Sequence, residues 1–308
     1  MKKEFLRLPR TDEQVPIYLC LYTPDLPAKA IVQIAHGMAE HMERYDETAR
    51  FLCSHGYMVA LHNHRGHGRE WPEGKLGHFA DKKGWDKLIL DMHTVMTRMK
   101  NDHPGIPYIL LGHSMGSFAA REFTLRYGKE LTALILSGTG RYSKGTCLSG
   151  MVLSSLFPGK KPAPFLFRLV FQANNRFFFP VRTAFDWLSR DMREIARYIG
   201  DPRCGFALTG ASYRAFFKGL YALSDRERLA DLPFALPVYL ISGDKDPIGR
   251  MGRSIGSIAQ DMQRFGHAHV TVRLYRGARH ELFHEINRQE VWMHLISWLD
   301  HMLNNLHL

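Results

Sequence analysis

The segment 112–116 reads Gly-His-Ser-Met-Gly, and its serine is the clearest candidate nucleophile in this 308-residue chain. The segment matches the G-x-S-x-G pattern, which lifts a serine onto a sharp turn between a strand and a helix. The apolar run 108–111 directly precedes the pattern, and a helical pattern over 116–127 follows it. Because this context is met, the sequence favours a nucleophilic Ser114 over a serine that only caps a helix.

A serine hydroxyl attacks a carbonyl efficiently only when a neighbouring base takes its proton. In this architecture the acid and the base follow the serine in the order serine, acid, histidine. Asp246 follows a predicted strand within the loop 243–247, and His280 follows the last predicted strand. Asp246 is preferred to Asp244, although spacing alone does not separate them. The three residues predict acyl transfer, in which His280 activates Ser114, an acyl-enzyme forms and water releases the acyl group.

The negative charge that develops on the attacked carbonyl oxygen needs two backbone N–H donors. We expect one from Met115, the residue after the nucleophile, and the other from Met38, in the loop after the first parallel strand. Loss of one such donor costs about 3–4 kcal/mol of activation free energy.

A second motif competes with this interpretation. Residues 280–284 also spell H-E-x-x-H, the pattern in which two histidines on one helical face bind zinc. A catalytic zinc site needs a third protein ligand, and the histidine and glycine of the extended metzincin pattern are missing after His284. The sequence therefore predicts no metal and no other cofactor, and a zinc hydrolase using His280, Glu281 and His284 is the minor alternative.

Short apolar runs alternate with helical patterns along most of the chain. Strands that are apolar on both faces belong to a parallel sheet covered by helices, so the predicted class is α/β with a mostly parallel, doubly wound sheet. Two further extended segments, 5–8 and 15–22, predict an N-terminal antiparallel hairpin at the sheet edge. The predicted strands are 30–35, 57–61, 108–111, 131–136, 238–241 and 269–275, and the predicted helices are 42–54, 84–101, 116–127, 252–265 and 286–304.

The region 140–230 interrupts this alternation. It contains no convincing strand pattern and is rich in phenylalanine, above all at 165–171 and 177–180. Because the sheet pattern resumes at Val238, the region is predicted to be an insertion between two parts of one core, 1–139 and 231–308.

Composition limits the partners and the compartment. The formal net charge of +11 is dispersed, without a recognisable nucleic-acid module, so we predict no nucleic-acid binding and a weak attraction to an anionic membrane or substrate. Polar residues follow the basic start of the sequence at once, and no run approaches about 18 apolar residues, so we expect neither a secretory signal nor a membrane span. We therefore expect a cytoplasmic protein, peripheral to the membrane at most, whose oligomeric state the sequence leaves undetermined.

Two N-terminal segments carry a family resemblance. Residues 36–45 resemble the H-G-x-x-E-H-x-x-R-Y stretch, and residues 63–68 the D-x-R-G-H-G loop, of monoglyceride lipases and lysophospholipases in the α/β-hydrolase superfamily. The resemblance covers nearly the whole chain except 140–230. Asn63 stands where the family usually has aspartate, and Arg69 where it has serine, so the charge of this loop departs from the family pattern.

The resemblance implies an α/β-hydrolase fold in which 140–230 forms a helical cap, or lid, over the active site. It also implies hydrolysis of carboxylic esters of apolar acyl groups, with monoacylglycerol or lysophospholipid as substrates. The substrate-binding residues within 140–230 are not identified, because its aromatic side chains would either line an acyl tunnel or form the core of the cap. An amidase or peptidase stays open, whereas a non-enzymatic binding protein would not need the complete set of Ser114, Asp246 and His280.

Overall fold

An eight-stranded, mostly parallel sheet forms the centre of the protein. The computed structural model describes residues 1–10, 12–71 and 75–306. The strand order is β1-β2-β4-β3-β5-β6-β7-β8, in which β2 pairs antiparallel with both β1 and β4 and the other pairs are parallel. The strands are β1 (Lys2–Leu8), β2 (Ile17–Thr23), β3 (Ala30–Ala35), β4 (Tyr57–His62), β5 (Tyr108–His113), β6 (Ala133–Ser137), β7 (Val238–Gly243) and β8 (Val270–Tyr275).

Helices cover both faces of the sheet, as the apolar strands require. One hydrophobic layer packs α2, α3 and α8 against the sheet, and a second layer packs α1 and α9 against its other face. The helices of the core are α1 (Asp46–Ser54), α2 (Gly84–Asp102), α3 (Met115–Tyr127), α8 (Arg253–Arg264) and α9 (Arg288–Leu306). No helix among the described residues is long and apolar enough to span a membrane. The predicted doubly wound sheet with an N-terminal hairpin is confirmed.

Two predicted elements differ in detail. The helix predicted over 42–54 begins as a 3-10 turn, Met42–Tyr45, before α1 continues it. The last strand, β8, is largely exposed, unlike the fully buried β3 to β7, because it lies at the edge of the sheet and has one neighbouring strand.

The cap segment, residues 140–230, leaves the sheet after β6 and returns to it at β7. Its described residues form helices and one isolated bridge between Pro162 and Thr209. α7 connects the cap segment to the core, because it packs on α2 and α3 and also carries α4. The four α-helices are α4 (Lys144–Ser155), α5 (Pro164–Val170), α6 (Met192–Gly200) and α7 (Gly210–Leu223). The predicted helical insertion is confirmed, and its boundaries as a separate domain stay a prediction.

The aromatic side chains of the cap segment divide between two environments. Phe167 and Phe171 are buried and stack on each other with ring centroids 4.9 Å apart. Phe165, Phe177 and Phe179 are exposed, and Phe179 retains 95% of its accessible surface. The aromatic segments therefore build the core of the cap and also present an apolar surface to solvent.

Candidate active site

Ser114 occupies the turn between β5 and α3 in a backbone conformation that residues with a side chain rarely adopt, with φ 52° and ψ −120°. Its N–H donates to the carbonyl of Ser137 at 2.9 Å. Both flanking glycines are required by close packing. A Cβ at Gly116 would lie 2.1 Å from the carbonyl oxygen of Ala35, and one at Gly112 would lie 2.3 Å from that of Gly116. The strained turn is thus held by its surroundings, which is typical of functional sites.

His280 and Asp246 meet in the protein interior. His280 Nδ1 lies 2.9 Å from Asp246 Oδ1, and both side chains are buried. The same carboxylate accepts the N–H of Ile248 at 2.9 Å, which fixes its orientation. An ionised carboxylate can only accept hydrogen bonds, so Nδ1 of His280 carries a proton and the other ring nitrogen, Nε2, is left as a proton acceptor. Nε2 is buried and has no hydrogen-bond partner among the described residues.

Asp244 has a different position from Asp246, although the two are only two residues apart. Its Oδ1 accepts the N–H of Gly277 at 2.7 Å, which joins the loop after β7 to the loop after β8. The structure therefore gives the two carboxylates different contacts. Asp246 contacts His280, whereas Asp244 links two loops.

The histidine lies on the same edge of the sheet as the nucleophile. The rings of His280 and His113, the residue before Ser114, are 4.8 Å apart. Gly138, at the end of β6, has a φ of 60° and a Cβ there would lie 2.9 Å from Cε1 of His280. The structure thus brings Ser114, Asp246 and His280 together at the carboxyl ends of β5 to β7, where ligands bind in sheets of this kind.

The electrostatic surroundings favour the protonated form of His280. Burial lowers its pKa, but the negative charge of Asp246 and the hydrogen bond to it outweigh burial, so the pKa lies above the ordinary 6.5. Burial, and secondarily the neighbouring His280, lowers the pKa of His113 to about 4. His113 therefore stays neutral where His280 titrates.

This raised pKa gives a pH prediction. Protonated His280 cannot accept the proton of Ser114, so kcat/KM should fall as the pH drops through a midpoint above 6.5. In Asp246→Asn the charge that raises the pKa is lost while burial remains, so the midpoint should move to lower pH. A soluble short-chain ester measures both profiles. A wild-type midpoint below 6.5 would contradict the raised pKa of His280, and a midpoint that Asp246→Asn does not move would contradict the assignment of that pKa to the pair.

The loop after β3 lies directly against the nucleophile. A Cβ at Gly37 would be 3.2 Å from Cβ of Ser114. Met38, the next residue, is buried, and the N–H groups on either side of it donate to Glu40 and to Nε2 of His67. Met115 is buried at the first position of α3. Met115 and the loop that contains Met38 therefore both lie against Ser114, and the role of their N–H groups as oxyanion donors stays a prediction.

A buried ion network joins this loop to the histidine loop. Arg44 donates to Glu40 at 2.6 Å and to both oxygens of Glu281, the residue after His280, at 2.6 and 2.7 Å. Burial alone would raise the pKa of both carboxyls, but the charge of Arg44 holds them below their ordinary range. Glu40 and Arg44 both belong to the 36–45 stretch that resembles the family pattern, and that resemblance is the only sequence feature that marks them.

A short strap within the cap segment, residues 187–191, contacts the loop that carries His280. Trp187 lies 4.8 Å from the ring of His280, and the carbonyl of Leu188 accepts the N–H of Glu281 at 2.7 Å. Ser189 donates to the carbonyl of His284 at 2.8 Å. These residues match no motif, and the structure shows that they contact the loop that carries His280.

Each residue of the H-E-x-x-H motif contacts other groups of the protein. His280 Nδ1 faces Asp246, Glu281 binds Arg44, and His284 Nε2 lies 2.9 Å from the carbonyl oxygen of Arg44. The segment Leu282–His284 is a single 3-10 turn rather than part of an α-helix. The helical face on which the zinc alternative depends is not formed.

Asn63, which stands where the family usually has aspartate, has neighbours that suit an amide. Its Oδ1 accepts the N–H of Met42 at 2.9 Å, as a carboxylate would, while its Nδ2 donates to the buried Glu70 at 2.8 Å. Arg69 lies 3.5 Å from Glu43 and 3.6 Å from Glu70. An asparagine is therefore compatible with the buried carboxylate of Glu70, whereas an aspartate would face it.

We expect Asn63→Asp to destabilise the fold by about 1–3 kcal/mol, because Glu70 would lose a donor and gain a like charge. Thermal unfolding at neutral pH measures the loss. Adding Glu70→Gln to this variant should restore most of the melting temperature, since an amide can donate to the new carboxylate. An unchanged melting temperature in the single variant would show that the Asn63–Glu70 contact contributes no stability.

An apolar cavity of about 760 Å³ lies between α4, α5, α7 and the loop after β7. Its walls include Leu153, Leu166 and Phe216, and it ends at Pro247 and Ile248, directly after Asp246. Among the described residues, neither Ser114 nor His280 belongs to its wall. The cavity therefore lies beside the candidate site, on the side of the acid.

A family model described as Hydrolase_4, serine aminopeptidase S33, matches residues 27–287. The chain belongs to the Hydrolase_4 family. It is 30% identical to a monoacylglycerol lipase of Mycolicibacterium smegmatis over 294 residues, which cover 92% of this chain and 93% of the relative. It is also 30% identical to human monoglyceride lipase over 286 residues, covering 87% and 84% of the two chains.

A solved carboxyl esterase from Bacillus coagulans is similar over 98% of this chain and 99% of its own, with a TM-score of 0.91 and 27% identity. Together with the family match, these relatives confirm two predictions. The fold is the α/β-hydrolase fold, and this member of the Hydrolase_4 family is a carboxylic-ester hydrolase.

Proposed function

We propose that Ser114, His280 and Asp246 form a catalytic triad that hydrolyses esters of apolar acyl groups, of the monoacylglycerol or lysophospholipid type. The observation that carries this proposal is the 2.9 Å contact between His280 Nδ1 and Asp246. It leaves Nε2 buried and without a partner among the described residues, in a ring that lies 4.8 Å from the ring of His113, the residue before Ser114.

In the first half of the reaction, Nε2 of His280 takes the proton of Ser114 Oγ as the oxygen attacks the ester carbonyl. The tetrahedral oxyanion accepts the N–H groups of Met38 and Met115. His280 then gives the proton to the departing alcohol, and an acyl-enzyme remains on Ser114. In the second half, His280 deprotonates a water molecule that attacks the acyl-enzyme, and Ser114 regains its proton. The Asp246 carboxylate stabilises the imidazolium in both halves.

The apolar cavity supports a lipid-like acyl group. Its volume of about 760 Å³ and mostly apolar wall suit a hydrocarbon chain that would extend from Ser114 beneath the cap segment. The lipase relatives are named for monoacylglycerol or monoglyceride. An amidase is the second candidate, because a serine triad cleaves amides as well and the family model is described as a serine aminopeptidase.

The cap surface supports peripheral contact with an anionic membrane. Arg168 and Arg176 are exposed beside the apolar side chains, and the whole chain carries a net charge of +11. Apolar groups flanked by cations bind anionic interfaces. The exposed apolar residues of the cap segment include Leu148, Val152, Leu156, Phe165, Leu169, Phe177, Phe179 and Val181. Co-sedimentation tests this contact, because the protein should sediment with anionic vesicles and not with neutral ones. The cytoplasmic location stays a prediction.

Labelling with a fluorophosphonate, with and without a metal chelator, tests the chemistry directly. We expect one adduct, on Ser114, that the chelator does not affect, followed by faster hydrolysis of acyl esters than of matched acyl amides. Hydrolysis that the chelator stops, without an adduct, would exclude the serine mechanism. Faster turnover of the amide would select the second candidate.

A further inference from the structure

A second cavity, of about 430 Å³, lies where the cap segment meets the core, at the start of α4, the end of α7 and the start of α8. Its wall is polar and basic. The wall contains four serines and five cationic side chains, and no described acidic residue belongs to it. The cations are Arg141, Lys144, Arg226, Arg250 and Arg253.

Most of this positive charge is not neutralised by the protein. Asp261 lies 2.9 Å from Arg141 and 3.6 Å from Arg226, and Asp225 lies 3.7 Å from Lys144. Five cations against two carboxylates leave a net charge of +3. Among the described residues, Arg250 and Arg253 have no carboxylate within 4 Å. Like charges gathered in this way repel one another, and a bound anion would relieve that repulsion.

The backbone and a buried hydroxyl add further donors. The 12-residue helices α4 and α8 both begin at the cavity, with Lys144 and Arg253, so the positive ends of their dipoles are located there. Ser254 also lines the cavity. Its Oγ is buried without a hydrogen-bond partner among the described residues. Guanidinium groups, hydroxyls and helix N-termini together are the donors that bind phosphate.

The basic cavity and the apolar cavity share a wall. Tyr142, Arg250 and Arg253 line both, and Arg250 follows Asp246 by four residues. We infer that the basic cavity binds the phosphate group of the substrate while the acyl chain occupies the apolar cavity. This inference rests on the proposed function and narrows it to acyl esters that carry a phosphate monoester. A net charge of +3 suits a phosphate dianion better than a neutral glycerol or a phosphocholine, whose ammonium group would be repelled.

Selectivity between substrates with one acyl chain tests the inference. We expect wild-type kcat/KM to be higher for 1-oleoyl lysophosphatidic acid than for 1-oleoylglycerol or 1-oleoyl lysophosphatidylcholine. Lys144→Gln with Arg226→Gln removes two cations that line only the basic cavity. The preference for the phosphate monoester over 1-oleoylglycerol should then fall about tenfold or more, as expected for charge-assisted hydrogen bonds, and through KM rather than kcat.

Arg264→Gln is the matched control, because Arg264 lies in the last turn of α8, outside the cavity. Its substrate preference should equal that of wild type. A wild-type enzyme that favours 1-oleoylglycerol, or a preference that the double variant retains, would overturn the inference. Should the double variant not fold, the wild-type order of the three substrates decides.

Binding to Ser114→Ala, followed by calorimetry, separates this inference from the proposed function. Lysophosphatidic acid should bind more tightly than inorganic phosphate, because it fills both cavities. Equal affinities would show a site for free phosphate and would overturn the link to substrate. Absence of a fluorophosphonate adduct on Ser114 would defeat the proposed function alone, since this binding measurement needs no turnover.

Discussion

Ser114→Ala is expected to lower kcat for ester hydrolysis by about a millionfold, because the nucleophile and the acyl-enzyme are both lost. The fold should survive. Alanine keeps the Cβ that the strained turn already accommodates, and the Ser114 hydroxyl contributes no hydrogen bond to the described structure. Turnover of a soluble ester, intact mass after fluorophosphonate treatment and the melting temperature measure the three consequences.

Ser117→Ala is the appropriate control for this variant. Ser117 lies one turn further along α3, and its hydroxyl donates to the carbonyl of Ser114 at 2.6 Å. Its removal tests whether a disturbed turn, rather than a lost nucleophile, explains inactivity. We expect Ser117→Ala to keep the adduct and most of the turnover. An adduct on Ser114→Ala protein would remove Ser114 from the mechanism.

Asp246→Asn should reduce kcat by about four orders of magnitude, because an amide stabilises the wrong tautomer of His280 and does not neutralise the imidazolium. Asp244→Asn is the matched comparison. Its carbonyl oxygen can still accept the N–H of Gly277, so turnover should fall by less than about tenfold. Steady-state kinetics of both variants give the ranking, and the reverse order would identify Asp244 as the acid.

Much of the sheet could be predicted from sequence because its inner strands are short apolar runs with one simple periodicity. The turn at Ser114 could also be predicted from sequence. Close contacts of the turn require glycine at 112 and 116, and these glycines make the pattern recognisable. The choice between Asp246 and Asp244 was harder to justify, because both follow β7 and only the path of the loop decides which one faces His280. The structure supports the choice through geometry, and the kinetic comparison tests it.

Other features of the site depend on residues far apart in the chain. Arg44 and Glu281 are separated by 237 positions, and no local pattern indicates that they form a buried pair. Trp187 lies in a region without strand or helix periodicity, so its place above His280 depends on how the cap segment folds back. The division of the phenylalanines between the core and the surface of the cap likewise depends on the packing of α5 against its neighbours.

The strap at 187–191 has a consequence for recombining this enzyme with its relatives. A chimaera that exchanges the whole cap segment, 140–230, would also replace Trp187 and Leu188. These residues contact the His280 ring and accept the N–H groups of His280 and Glu281. Chimaeras that exchange 140–186 and keep 187–191 with the recipient preserve these contacts. The best crossover point therefore lies inside the cap segment, just before residue 187. Residues from a relative that change substrate preference are best introduced between 140 and 186.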